Sequence, residues 1–347
     1  MFSSTSRNLS LADDSYSLPS VTIVRKVAPL RDTVDLQGHR GARGLRPENT
    51  LPAFAKALEV GVTTLELDVG ITGDGAVVVS HDAAVSPLKC EDTDAVEPDD
   101  PLFPYVGRPL AQLTLDQVKT LECGVRRPRD MDTDPFVGSQ LPIPGTAMPT
   151  LDEVFDLVDG YGADDVRFNV ETKIRPTQPS LTVDPQTFAE RVIEVVREHG
   201  MTHRTTLQSF DWRTLLWADR LVPEMERSAL VDTRTFERDS PWLAGLDLTA
   251  FSGDVAAAAE AIGASVLSPE HVLVTDDLLG RAHGRALPVV TWTVNDPERI
   301  AELLDLGVDG IITDFPDRAR LVLEGHGREL PTARPEPAHA EIYVAGV

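Results

Sequence analysis

The chain has 347 residues, 41% hydrophobic and 25% charged, the composition of a soluble globular protein, and no apolar run nears the roughly 20 residues of a membrane-spanning helix. An integral membrane segment is therefore excluded. The formal net charge of −24 disfavours nucleic acid and anionic lipid as partners, both being polyanions, so any phosphate must be met by local cations. Lysine occurs only at positions 26, 56, 89, 119 and 173, leaving an arginine- and carboxylate-rich surface that serves solubility.

In chain order, residues 1–33 are polar and mixed and read as an N-terminal extension. They lack the apolar core of a signal peptide, which points to a cytoplasmic protein, with a periplasmic or secreted one as the alternative. From residue 34 onward short β-rich runs alternate with amphipathic stretches, the pattern of parallel strands joined by crossover helices. Eight such strands are predicted, over 34–38, 64–69, 166–171, 205–209, 227–231, 264–267, 288–293 and 310–313, with helices over runs such as 50–60, 185–198 and 297–306. Eight βα units predict an α/β fold, a (β/α)₈ TIM barrel over 34–325.

An additional short strand over 76–80 follows the second one through Thr72-Gly73-Asp74-Gly75, whose Asp-Gly pair signals a hairpin. Residues 83–148 then lose periodicity in a Pro- and Asp-rich stretch with one predicted helix, 113–121, and read as a long insertion after the second strand. It contains Cys90 and Cys123, too few for a disulfide framework or a thiolate zinc site, although their spacing permits one bridge. Residues 326–347, with Pro331, Pro335 and Pro337, read as a flexible C-terminal tail.

Chemistry concentrates at the predicted strand ends, which form the catalytic rim of a βα barrel. Gly38-His39-Arg40-Gly41 and Pro47-Glu48-Asn49-Thr50 follow the first strand. His39 supplies a titratable imidazole and Arg40 a forked donor for phosphate oxygens; Asn49 and Thr50 serve equally well as a helix cap. Glu66 and Asp68 alternate along the second strand and project to one side of it. Glu171 and Lys173 do the same at the next barrel strand. Read separately, each is an ordinary ion-paired group. Read together, Glu66, Asp68 and Glu171 make a three-carboxylate set for one divalent cation, and hard oxygen donors favour Mg²⁺ or Ca²⁺ over zinc. Lys173 then holds a phosphate oxygen as a point charge. His81 brings a second imidazole to the same rim, and two imidazoles flanking a phosphate can protonate a leaving oxygen and deprotonate a nucleophile. Phe210 and Trp292, at later strand ends, either pack the core or line an apolar wall for substrate carbon. The histidines at 199, 203, 271, 283, 326 and 339 read as solvated.

The ordered set His39-Arg40-Gly41, Pro47-Glu48-Asn49-Thr50, Glu66-x-Asp68, His81-Asp82, Glu171-x-Lys173, Gln208-Ser209-Phe210 and Trp292-x-Val294-Asn295 resembles the glycerophosphodiester phosphodiesterases, from about residue 34 to 323. The resemblance implies a (β/α)₈ barrel that uses one divalent cation to hydrolyse a small-molecule glycerophosphodiester to an alcohol and glycerol 3-phosphate. Position by position it implies Glu66, Asp68 and Glu171 as metal ligands and His39 and His81 as the acid–base pair. Arg40 and Lys173 correspond to phosphate contacts, and Trp292 to an aromatic packed on the glycerol. Two alternatives compete: the same fold acting on a lysophospholipid or sphingolipid, and a non-catalytic barrel that binds a phosphometabolite. The second requires loss of a catalytic group, and all seven segments retain theirs.

Overall fold

The computed structural model describes residues 33–337 apart from Arg129, so residues 1–32 of the expected extension and the end of the tail, with His339, lie outside the described residues. The first barrel strand, β1 (Asp35–Gly38), leads into α1 (Leu51–Val60) and then β2 (Thr64–Ile71). β2 is wholly buried, as expected of a parallel strand covered on both faces. The remaining barrel strands are β4 (Arg167–Thr172), β5 (Thr205–Ser209), β6 (Glu226–Val231), β7 (Val266–Pro269), β8 (Val290–Thr291) and β9 (Gly310–Thr313). Between them β3 (Val77–Val79) pairs antiparallel with β2, beyond the Asp-Gly turn.

The sheet runs in the order β7, β6, β5, β4, β2, β1, β9, β8 with all of these pairs parallel. β7 and β8 meet only through the isolated bridges Leu267↔Val289 and Glu270↔Trp292, so the barrel is nearly closed. The predicted strand over 288–293 thus contributes a two-residue ladder, and the strand predicted over 264–267 lies two residues later. Pro269 and Pro288 at this seam cannot donate ladder hydrogen bonds, which shortens the pairing there.

The outer layer is made of α1, α3 (Leu151–Gly160), α4 (Pro185–Glu198), α5 (Trp212–Leu221), α6 (Val255–Ala261), α7 (Asp276–His283), α8 (Pro297–Leu306) and α9 (Pro316–Gly325). The aspartate-rich composition has a local use here. Asp184, Asp211, Asp254 and Asp296 each cap a helix by accepting from a first-turn N–H, ending the βα loop and starting the helix at a defined residue. One continuous core fills the space between helices and sheet, with Phe155 and Phe168 edge to face at 4.7 Å.

The insertion builds its own small core from Val85, Tyr105, Leu110, Leu113, Val118 and Leu121. Its helix α2 (Leu115–Lys119, following β3) is shorter than the predicted 113–121, because a 3₁₀ turn, Leu110–Gln112, precedes it and Thr114 closes a capping box with Gln117. Cys90 and Cys123 are joined by a disulfide, and Glu91 and Glu122 beside them exchange backbone hydrogen bonds of 2.9 and 3.0 Å.

Two expectations are revised. Residues up to 337 of the tail lie against the barrel: the Arg334 amide donates to Leu58 O at 3.0 Å, its guanidinium pairs with Asp165, and Leu330 packs on the core. His199 and His283 are held rather than solvated, bonded to Asp152 at 3.1 Å and Asp309 at 2.8 Å, because an acidic surface places carboxylates within their reach. Among the described residues no helix is long and apolar enough to cross a membrane.

Candidate active site

Parallel register decides which side chains meet at the carboxyl ends of the strands. β2 and β4 align Asp68 with Glu171, so these carboxylates sit on neighbouring strands at one level, while Glu66 lies one pleat below Asp68 on the same face. One oxygen from each of Glu66, Asp68 and Glu171 lies within 4.8 Å of the other two, the one such His/Cys/Asp/Glu cluster found among the described residues. All three are buried. Charge repulsion in a dry site leaves its mark: burial and the two neighbouring carboxylates hold Glu66 well above the usual range, and burial brings Glu171 up to about 7. Burial also pushes Asp68 upward, but Arg40 and Lys173 outweigh it and keep Asp68 charged.

The set fits a hard divalent cation. Asp68 Oδ1 is buried without a hydrogen-bond partner, the Lys173 ammonium standing 3.5 Å away, so a carboxylate oxygen is left with lone pairs a cation can take. A buried amide ladder aims the cluster from beneath. Gln208 Nε2 donates to Glu66 Oε1 at 2.8 Å, and Asn169 Nδ2 donates to Gln208 Oε1 at 2.9 Å and Gln37 Oε1 at 2.8 Å.

The turn after β1 supplies the cations and the first imidazole. Arg40 adopts φ 50° and Asn49 φ 56°, left-handed conformations that cost about 1–3 kcal/mol each for residues other than glycine. They turn polar groups toward the cluster: the Arg40 amide donates to Glu66 Oε2 at 2.9 Å, and Asn49 Nδ2 donates to Asp68 Oδ2 at 2.9 Å. Asn49 therefore orients a carboxylate, whereas Thr50 is the helix cap. Gly41, at φ 85°, lies where a Cβ would stand 2.5 Å from the Ala53 backbone, so only glycine allows the turn to close on α1. The Arg40 guanidinium lies 3.0 Å from Asp68 and 2.8 Å from Glu48, and Lys173 lies 2.7 Å from Glu171 and 3.5 Å from Asp68.

His39 Nδ1 is 2.6 Å from Asp314 Oδ1, leaving Nε2 facing the cluster, 3.9 Å from Glu66 Oε2. Asp314 is fixed in turn by Asn295 Nδ2 at 2.7 Å. Burial raises the Asp314 carboxyl, but His39 and its hydrogen bond reverse this, so Asp314 stays ionised and holds the Nδ1–H tautomer. His81 is placed likewise, its Nδ1 3.0 Å from Asp82 Oδ1. Burial, Arg40 and Lys173 pull His81 down to about 4, and burial and Arg40 also lower His39, so both rings are neutral near pH 7. The fold thus sets His39 beside Glu66 and His81 within the field of Asp68.

Phe210 and Trp292 stand at the rim edge to face at 5.4 Å, and Lys173 Nζ is 5.9 Å from the Phe210 ring centre. Trp242, which the sequence reading passed over, joins them 6.3 Å from Phe210. It was hidden because its loop has no periodicity. Asp314, also missed, had a usable signal: it follows the predicted strand 310–313, and a carboxylate just past a barrel strand stands at the rim. We expect Asp314→Asn to lower kcat about 10²-fold with little change in KM, since an asparagine amide cannot hold the tautomer; steady-state kinetics checks this.

Residues 39–318 match the Glycerophosphoryl diester phosphodiesterase family. A Caldanaerobacter subterraneus protein named glycerophosphodiester phosphodiesterase is 27% identical over 80% of this chain and 93% of its own. A solved Silicibacter pomeroyi protein, named as a candidate glycerophosphoryl diester phosphodiesterase, superposes with a TM-score of 0.74 at 31% identity, covering 88% of this chain and 97% of that one. An Oleispira antarctica phosphodiesterase, solved with the product sn-glycerol-3-phosphate, has the same fold at 19% identity and a TM-score of 0.61, covering 84% of this chain and 97% of its own. With its matched span covering most of the chain and its barrel shared with these neighbours, the protein belongs to the glycerophosphoryl diester phosphodiesterase family of hydrolases.

Proposed function

We propose that the protein hydrolyses glycerophosphodiesters to an alcohol and glycerol 3-phosphate, with a divalent cation, Mg²⁺ or Ca²⁺, held by Glu66, Asp68 and Glu171 and with His39 and His81 as the acid–base pair. The observation that supports this reading is the cluster of three buried carboxylates, with the His39 ring beside Glu66 and His81 within the field of Asp68. When bound there, the cation supplies positive charge that offsets the carboxylates and stabilises a phosphate anion. Arg40 and Lys173 add field and hydrogen bonds for phosphate oxygens, most valuable where charge grows in the transition state. One imidazole Nε2 takes the proton of the attacking hydroxyl as the P–O bond forms; the other ring, protonated, gives its proton to the departing alkoxide. Phe210 and Trp292 offer an apolar wall for the glycerol carbons.

Measuring glycerol 3-phosphate release from glycerophosphocholine, with and without chelator, tests the reading. Release that stops on chelation and returns with Mg²⁺ or Ca²⁺ is expected; no release, or release indifferent to chelator, sinks it. Phosphorus NMR of the products separates attack by water from attack by the neighbouring glycerol hydroxyl, which passes through a cyclic phosphate.

The second reading is an acyl-bearing lysophospholipid, for which the insertion offers Met131, Val137 and Leu141 as exposed apolar side chains, 59%, 52% and 56% exposed. Comparing kcat/KM for lysophosphatidylcholine and glycerophosphocholine decides between them, and the smaller substrate is expected to win. The Cys90–Cys123 bridge supports an oxidising compartment, in favour of the periplasmic or secreted alternative.

A further inference from the structure

The two imidazoles stand at opposite ends of a continuous chain of charged groups. From His81 it runs to Asp82 (3.0 Å), from Asp82 Oδ2 to Lys89 Nζ (2.7 Å), and from Lys89 Nζ to Glu48 Oε1 (2.7 Å). Glu48 Oε2 then meets Arg43 Nε at 2.7 Å, Arg43 Nη1 lies 3.8 Å from Asp314 Oδ1, and Asp314 holds His39 at 2.6 Å. Glu48 also grips Arg40 at 2.8 Å. Between the two neutral rings the signs alternate at every step, so each charged group stabilises its neighbours.

Lys89 is the link in this chain that belongs to the insertion, near its start. Its backbone is pinned: the Lys89 amide donates to Ser86 O at 3.1 Å, Arg127 N donates to Leu88 O at 2.7 Å, and the next residue, Cys90, is tied to Cys123. The Lys89 side chain is 25% exposed, whereas that of Glu48 is 4% exposed. Burial raises the Glu48 carboxyl, but Arg40, Arg43 and Lys89 bring it well below the usual range. Glu48 therefore keeps two cations if Lys89 is lost. Asp82 does not: its side chain is 31% exposed, and among the described residues Lys89 is the one lysine or arginine paired with it, through the oxygen that does not meet His81.

We infer that Lys89 is a positioning residue for the reaction: the insertion presents it to Asp82, fixing the His81 ring through its Nδ1 and making the insertion part of the acid–base machinery. The inference rests on the acid–base role of His81. Lys89 reaches His81 through Asp82, at 2.7 and 3.0 Å, so its loss is expected to act on kcat and to spare KM.

Lys89→Met keeps the aliphatic stem and removes the charge. With glycerophosphocholine as substrate and Mg²⁺ or Ca²⁺ present, kcat is expected to fall about tenfold, with KM within about twofold of the parent and the thermal midpoint within a few degrees. Lys89→Arg should recover most of the turnover. Because the effect passes through Asp82, Lys89→Met should cost almost nothing further in an Asp82→Ala background, the signature of coupled residues in a double-mutant cycle. Unchanged kcat in Lys89→Met, a rise confined to KM, or a full tenfold loss retained in the Asp82→Ala background each overturns the inference. Lys89→Gln carries the same test if the methionine variant misfolds. His81→Ala, measured alongside, separates the two readings: near-normal turnover there removes His81 from the mechanism, whereas a defect there beside a normal Lys89→Met removes Lys89 alone.

Discussion

His39→Ala and His81→Ala each lower kcat by about 10²–10⁴-fold while the protein stays folded, which steady-state kinetics and a thermal melt check together. The size follows from the geometry. Each ring has Nδ1 committed to a carboxylate, Asp314 or Asp82, which leaves a single nitrogen for the proton transfer and fixes its direction. Alanine removes the proton carrier and leaves the carboxylates, the cations and the barrel in place. Neither ring is part of the main hydrophobic core, so the loss belongs to chemistry rather than to packing. His39 and His81 both sit below their ordinary value, through burial first and the Arg40 charge second, so whichever ring acts as the acid needs the negative charge of a bound phosphodiester to raise it. Near-normal turnover in either variant would remove that ring from the mechanism.

The second large effect is on the carboxylate cluster. Chelation is expected to abolish turnover, and Glu66→Gln to weaken cation affinity before it affects anything else, so that excess Mg²⁺ or Ca²⁺ restores part of the lost rate. Glu66 is the sensitive position because burial and two neighbouring carboxylates already oppose its charge, and a cation relieves that repulsion. The relief is measurable without substrate. At a cation concentration 100-fold above Kd, binding adds about 2.7 kcal/mol to the stability of the wild-type chain, and much less to the Glu66→Gln variant at the same concentration. A thermal midpoint that ignores both ions, together with chelator-resistant activity, would rule out a metal site here. Stability gained with full activity in chelator would mean the ion is structural.

How much of this was readable beforehand depends on the range of the interaction concerned. Strand and helix positions in the first half of the barrel follow from local alternation and capping residues, and the predicted 64–69 and 205–209 match β2 and β5 closely. The seam between β7 and β8 was misread because prolines at 269 and 288 weaken pairing, an effect that depends on which strand lies opposite. The tail looked free because its prolines speak against regular structure, yet it docks through contacts with Leu58 and Asp165, far earlier in the chain.

The amino-acid sequence by itself determined the barrel class and the long insertion, and it named Glu66, Asp68, Glu171, Lys173, Arg40, His39 and His81, on or just past predicted strands, as the candidate site, of which Glu66, Asp68 and Glu171 form one cluster. Local periodicity fixes which end of a strand a residue occupies, and in a βα barrel that is enough to send it to the rim. Only the tertiary structure decided how those groups are held. The pairing of His39 with Asp314 spans 275 residues, and that of Gln208 with Glu66 spans 142. Lys89 pairs with both Asp82 and the far earlier Glu48, each at 2.7 Å, and the second contact follows from no local spacing. Hydrogen bonds and ion pairs act over about 3 Å, and which side chains come that close is settled by strand register, barrel closure and loop docking, none of which leaves a periodic trace in the chain.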